Sequence, residues 1–143
     1  ELYQAGMVSL KDFIDLPYDN DILVALHVAK KPIRIAYLSQ RNTATDFPVV
    51  ACAVSEYDDS LHVSIGARPA HAKLIELPIG SGKPDGFGKQ LPQGFEKDEE
   101  LVKELAVWCA DQFTYGSNRR AGADYRKHVA GVLIRRAVMS FKS

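Results

Sequence analysis

The sequence is poor in the residues that build metal sites and disulfide frameworks. It contains two cysteines in 143 residues, Cys52 and Cys109, without CxxC spacing, whereas an iron–sulfur cluster needs four thiolates. The four histidines have no metal-ligand spacing either, and they are spread over different predicted elements at His27, His62, His71 and His128. We therefore predict no metal site. Both cysteines lie among apolar neighbours, which indicates core residues in a reducing, cytoplasmic setting.

Net charge and long apolar runs are also missing. Lysine plus arginine and aspartate plus glutamate both number 18, so no overall electric field would recruit nucleic acid. No stretch is typical of a signal peptide or a membrane span. The charges are nevertheless segregated, with an acidic block over 96–104 and a basic one over 119–142. Two neighbouring helices with opposite faces would explain this without any partner.

Apolar residues alternate with polar ones along the first half of the chain, a pattern that predicts strands. The predicted strands cover 22–28, 33–38, 49–57, 61–65 and 72–77. The clearest pair is a hairpin that turns at Asp58-Asp-Ser60. Residues 78–94, which are rich in glycine and proline, predict a loop. This loop lacks the glycine and lysine spacing of a phosphate-binding loop.

Two amphipathic helices follow the predicted strands. Asp98 is expected to cap the first, in which Leu101, Val102, Leu105, Trp108, Cys109, Gln112 and Phe113 recur at helical spacing. Gly116 is expected to end this helix, and Ser117 or Asn118 to cap the second. The second helix has its predicted buried stripe at Ala121, Tyr125, Val129, Val132 and Leu133. This order predicts an α+β fold, an antiparallel three- to four-stranded sheet with helices packed on one face.

The polar segment 39–46, between two predicted strands, is the part of the chain most typical of a functional loop. It is long for such a connection, lacks turn glycines, and carries Gln40, Arg41, Asn42 and Asp46. Loops on a rigid sheet often carry function, but composition alone favours this interpretation and a solvated crossover equally. No spacing pattern indicates a catalytic residue.

The second helix contains a run that resembles a known family. Arg120-Ala-Gly-Ala-Asp-Tyr-Arg126, followed by Val129, Leu133 and Arg135-Arg136-Ala137, is similar to the pattern R-A-S-A-E-Y-R-R-x-L-A-x-x-L-x-R-R-A. That pattern closes the FAD-binding subunit of molybdenum hydroxylases, the xanthine dehydrogenase and carbon monoxide dehydrogenase family. This chain has Gly122 where the family usually has serine and Asp124 where it has glutamate, both mild changes.

The resemblance extends over most of the chain. Residues 21–28 look like the last strand of the FAD-binding domain, and residues 37–50 look like the start of the C-terminal domain. The turn Ile65-Gly-Ala-Arg-Pro-Ala70 is similar to the family's glycine turn. The resemblance therefore implies a tail segment of the FAD-binding domain over 1–32 and a CO dehydrogenase flavoprotein C-terminal-like domain over 33–143.

The same resemblance implies a function in electron transfer. The intact subunit would pass electrons from iron–sulfur centres through FAD to an acceptor, with NAD as one candidate. Its partners would be a molybdopterin-binding large subunit and a 2Fe–2S small subunit. In the family the polar loop lies over the flavin ring and affects NAD access, which implies that Tyr37, Gln40, Arg41 and Asp46 lie near the cofactor. The second helix would be structural, with Tyr125 and Arg126 tying it to the sheet.

The chain departs from the family because the glycine-rich phosphate-binding motifs of the FAD-binding domain are absent. The chain also begins at Glu1 without a methionine, which we interpret as a piece of a longer polypeptide. Alone, it is expected to bind FAD poorly or not at all and to be inactive. The alternative function is a cofactor-free protein-interaction module that uses the acidic and basic helices as recognition faces.

Overall fold

The chain divides into two compact units, Glu1–Pro32 and Ile33–Ser143. The structure, a computed structural model, describes residues 1–17, 20–80, 82 and 86–142. The division falls after Pro32, and the assignment of the two parts to an FAD-binding domain and a C-terminal domain stays a prediction. Within the described ranges, no helix has the length and apolar character needed to cross a membrane.

The first unit is organised by polar side chains that bind its backbone amides, and among its described residues only Leu2 is buried. Within residues 1–17 and 20–32 its one helix, α1 (Leu10–Phe13), is capped by the Ser9 hydroxyl, and the Asp21 carboxylate accepts from the amides of residues 4, 5 and 22. The predicted strand over 22–28 is wrong. It reduces to an isolated bridge between Leu2 and Leu23, because the backbone bonds of this segment join residues 22–25 to residues 1–3, a stretch too short to form a strand ladder.

The second unit contains a four-stranded antiparallel sheet. Its strands are β1 (Arg34–Gln40), β2 (Val50–Tyr57), β3 (Ser60–Gly66) and β4 (Lys73–Pro78), and their order in the sheet follows the chain. The predicted hairpin is confirmed as β2 and β3, in register from Ala51–Gly66 to Tyr57–Ser60. Asp58 and Asp59 both have positive φ, the conformation of a two-residue type I′ turn. The predicted strand over 72–77 is confirmed as β4.

The two faces of the sheet differ as the alternation predicts. One face supplies the core and packs beneath the helices, with Val50, Cys52, Val54, Leu61, Val63, Ile65 and Leu77 all buried. The other face carries small residues in the middle, such as Ala53 and Ser64, and exposed apolar side chains on β1, such as Ile35 and Tyr37. The α+β class with an antiparallel sheet and helices is therefore confirmed.

The first predicted helix is confirmed as α2 (Glu99–Asp111). The Asp98 carboxylate accepts from the Leu101 amide at 3.1 Å and caps it, as expected. Val102, Leu105, Ala106, Cys109 and Ala110 are its buried residues. The helix ends at Asp111, before Gly116, so the predicted role of this glycine is wrong. Gly116 instead passes close to Pro69, whose Cδ would lie 2.8 Å from an added Cβ.

The second predicted helix is α3 (Ala123–Met139), which packs on β1 and β2. Its N-cap is Gly122 rather than Ser117 or Asn118, although the Ser117 hydroxyl accepts from the Ala123 amide. Of the predicted stripe Leu133 is confirmed as buried, whereas Tyr125 is half exposed, so the buried face is shifted by about one position. The buried residues are Arg126, Ala130, Leu133, Ile134, Ala137 and Val138. The shift has a physical cause, because a hydrogen-bonded arginine takes a core position that the apolar pattern could not assign.

Arg34 at the start of β1 joins the sheet to the helical layer. Its guanidinium donates to the Glu96 carboxylate at 3.0 Å, to the Phe141 carbonyl at 3.1 Å and to the Glu56 carboxylate. Burial of Glu96 opposes its ionisation, but bonds from its own amide and from Arg34 outweigh that effect, so the pKa of Glu96 lies below the usual value. This cluster joins β1 to the segment just before α2, which contains Glu96, and to the segment just after α3, which contains Phe141.

Candidate functional site

The candidate site residues lie at one end of β1. Tyr37 belongs to the strand itself, and 59% of its surface is exposed on the open face of the sheet. Gln40 ends the strand, and the alternation of a strand places it on the opposite face. The structure therefore does not bring Tyr37 and Gln40 together on one side of the sheet.

Arg41 connects the two ends of the loop that follows β1. Its guanidinium donates to the Ser39 hydroxyl at 3.4 Å and to the backbone carbonyl of Asp46 at 3.1 Å. The Gln40 side chain donates to the Arg41 carbonyl at 3.0 Å. Gln40, Arg41 and Asp46 are thus brought together, and the loop is held as a closed unit rather than as an open crossover.

The loop is fastened to the turn that precedes α3. The Asp46 carboxylate lies 3.4 Å from the Arg120 guanidinium, and the Asn42 side chain donates to the Arg120 carbonyl at 3.4 Å. The guanidinium also lies 5.3 Å from the centre of the Phe47 ring, within the range of a cation–π contact. Sequence reasoning did not assign Arg120 to the site, although it is the first residue of the motif that carries the family resemblance.

Arg126, the last residue of that motif segment, anchors the far end of the loop. It is 1% exposed, and its guanidinium donates to the carbonyls of Val49 and Ala67 and to the Asn118 side chain. Burial, and then the nearby charge of Arg120, lower the pKa of Arg126. An arginine stays protonated in proteins, so this is a buried cation held by neutral acceptors.

The side chains at this site are suited to binding. Phe47 is 73% exposed beside Arg120, and Arg41 donates to the carbonyl of the preceding residue, Asp46. Guanidinium groups bind anions and stack on planar rings, and no side chain among these loop residues forms a nucleophile–base pair. Burial raises the pKa of the Cys52 thiol to about 12 and raises the pKa of the Cys109 thiol further, so both are unreactive core residues. The described residues contain no cluster of three metal-binding side chains.

Comparison with known proteins adds no family. A scan against protein-family models matches none, and a search of curated proteins finds no significant match. The family resemblance therefore rests on the residues quoted above.

Proposed function

We propose that this chain is the C-terminal part of the FAD subunit of a molybdenum hydroxylase of the xanthine or carbon monoxide dehydrogenase type. In this proposal residues 1–32 are the tail of the FAD-binding domain, and residues 33–143 form the domain that covers the flavin. The subunit works in the cytoplasm with a molybdopterin-binding subunit and a 2Fe–2S subunit. It passes electrons through FAD to an acceptor such as NAD.

The observation that supports this proposal is that the motif and the loop meet. The sequence assigned the motif to the second helix and the cofactor contacts to a loop about 80 residues earlier. Two arginines of the motif contact that loop, Arg120 through Asp46 and Phe47 and Arg126 through the Val49 carbonyl. A motif whose arginines hold a cofactor loop in place accounts for the occurrence of these arginines together with the residues of the loop that they contact.

The loop suits the planar ring of FAD but not its diphosphate. The exposed ring of Phe47, with Arg120 5.3 Å from its centre, offers apolar surface to a planar group, and the guanidinium groups of Arg41 and Arg120 suit its polar edge. Tyr37 adds an exposed ring on the open face of the sheet. No glycine-rich turn at a helix start is present in the described residues to hold the diphosphate. The chain therefore fits as one wall of a flavin site. FAD supplies the redox chemistry when bound, and these residues orient it and screen it from water.

The test is to express the chain together with the sequence encoded upstream of it and to measure flavin by visible absorbance after denaturation. We expect about one FAD per longer chain, as for a flavoprotein, and weak binding by the 143-residue chain alone. A longer protein without flavin would favour the cofactor-free interaction module. Tight stoichiometric binding by the short chain would also contradict the proposal.

A variant pair tests the role of the loop itself. Arg120→Met in the longer protein removes the contacts to Asp46 and Phe47, so flavin fluorescence should become more accessible to an added quencher. Arg119→Met, one residue earlier in the same turn, is the matched control and should leave quenching unchanged. Equal quenching in the two variants would show that the loop does not cover the flavin.

A further inference from the structure

A groove runs between α2 and α3 on their exposed side. Its volume is about 420 Å³, and small residues form its floor, namely Ala106, Ala110 and Gly131. Val107 and Val132 line it and remain 59% and 36% exposed. Scattered exposed apolar residues are ordinary, but a continuous apolar groove with a charged rim is typical of an interaction surface.

The charges at the rim are arranged by sign along the groove. The ion pairs Lys127–Asp111 at 2.8 Å and Lys142–Glu99 at 3.1 Å show that the two helices run antiparallel. One end of the groove therefore carries two cations, Arg135 and Lys103, with Glu100, which does not line the groove, as the counter-ion of Lys103 at 3.5 Å.

The opposite end carries two carboxylates, Asp111 and Asp124, with Lys127 as the counter-ion of Asp111. Val107 lies midway between the ends, four residues after Lys103 and four residues before Asp111. A surface whose two ends have opposite charge on either side of an apolar centre is complementary to itself when rotated by half a turn.

We propose that this groove is the interface of a dimer of the chain, with α2 and α3 of two copies packed face to face. The two-fold axis crosses the helices at the level of Val107. It brings the Lys103–Arg135 end of one copy over the Asp111–Asp124 end of the other, and the exposed valines of both copies meet over the small floor residues. In a two-fold interface each such contact occurs twice.

The size of the surface sets the strength of this dimer. Two helices of roughly four and five turns bury on the order of 400–500 Å² per copy, so the total of about 900 Å² is below the 1,200–2,000 Å² of a stable interface. We therefore expect a reversible dimer with a dissociation constant of roughly 10–100 µM. The groove is separate from the loop over 41–49, so this inference does not rest on the flavin proposal.

Sedimentation equilibrium of the 143-residue chain across the micromolar range tests the dimer. Arg135→Glu removes a cation at the groove, and Arg136→Glu is the matched control because the neighbouring Arg136 does not line it. We expect Arg135→Glu to weaken dimerisation about tenfold and Arg136→Glu to leave it within about twofold. A chain that stays monomeric at several hundred micromolar, or two variants with equal dissociation constants, would overturn the proposal.

Cross-linking tests the position of the axis. Val107→Cys places a thiol of each copy near the two-fold axis, so mild oxidation should give a covalent dimer. The matched control is Glu104→Cys, three residues earlier on α2 and outside the groove. The native Cys52 and Cys109 are buried and do not compete. Failure of Val107→Cys to cross-link, or equal cross-linking of both variants, would overturn the proposed geometry. Circular dichroism confirms that each variant is folded.

Discussion

Replacing Arg126 by methionine is expected to destabilise the second unit strongly. Methionine fills a similar volume but donates no hydrogen bond, so the Val49 and Ala67 carbonyls and the Asn118 side chain lose a partner. The Val49 residue is fully buried, whereas Ala67 and Asn118 reach water. The largest loss therefore comes from the Val49 carbonyl.

The magnitude follows from these environments. Leaving one buried acceptor unsatisfied costs about 1–3 kcal/mol, and each partly hydrated acceptor adds about 1 kcal/mol. Removing a buried cation recovers part of its desolvation cost, in line with the lowered pKa of Arg126. We expect the free energy of unfolding to fall by about 2–4 kcal/mol, a large fraction of the stability of a typical domain.

Urea unfolding followed by the fluorescence of Trp108 measures this loss. Trp108 is the only tryptophan and lies in α2, so its signal reports the second unit alone. Lys127→Met is the matched control, since it removes only a half-exposed ion pair with Asp111, worth about 0–1 kcal/mol. A loss below about 1 kcal/mol for Arg126→Met, or equal losses for both variants, would refute the anchoring role.

Three further outcomes test other parts of the fold. Gly116→Ala should lower the thermal midpoint, because the new Cβ would lie 2.8 Å from a proline ring. Gly131→Ala inside α3 should raise the thermal midpoint, because the nearest neighbour of the new Cβ is 3.7 Å away. A change of the same sign in both thermal midpoints would contradict this packing. The lowered pKa of Glu96 stabilises the fold above the ordinary glutamate pKa, and this stabilisation is lost as the pH falls through the lowered value. Glu96→Gln should therefore flatten the dependence of the unfolding free energy on pH in that acidic window. An unchanged dependence on pH would contradict this role of Glu96. Cys52 and Cys109 should resist a thiol reagent at about pH 8 until denaturant is added, and fast labelling of the folded protein would contradict their burial.

Local signals in the sequence predicted much of the second unit. The adjacent aspartates of the β2–β3 turn and the alternating residues around them specify a hairpin without reference to the rest of the chain. Asp98 likewise specifies the start of α2, because the cap and the amide it binds are three residues apart. Such signals act within a few residues, so periodicity and turn chemistry are sufficient to find them.

The wrong predictions concern residues whose structure depends on parts of the chain that are distant in sequence. Arg126 is polar in any sequence pattern, yet it is buried because it reaches carbonyls 77 and 59 residues away, at Val49 and Ala67. Residues 22–28 have the composition of a strand but no partner strand in the described sequence. The site follows the same rule, since the polar loop could be picked out by composition, whereas its attachment to Arg120 depends on the position of α3.

The order of the strands has a consequence for the protein during its synthesis. Each strand pairs with its neighbour in the chain, so the sheet is complete when the ribosome has added β4. About 60 further residues must then be added before α3 is complete and can cover the apolar face over β1 and β2. A nascent chain in this interval presents a finished sheet with one uncovered hydrophobic side, the kind of surface that chaperones bind and that aggregates when they are scarce. At typical elongation rates the exposure lasts about 3–12 seconds.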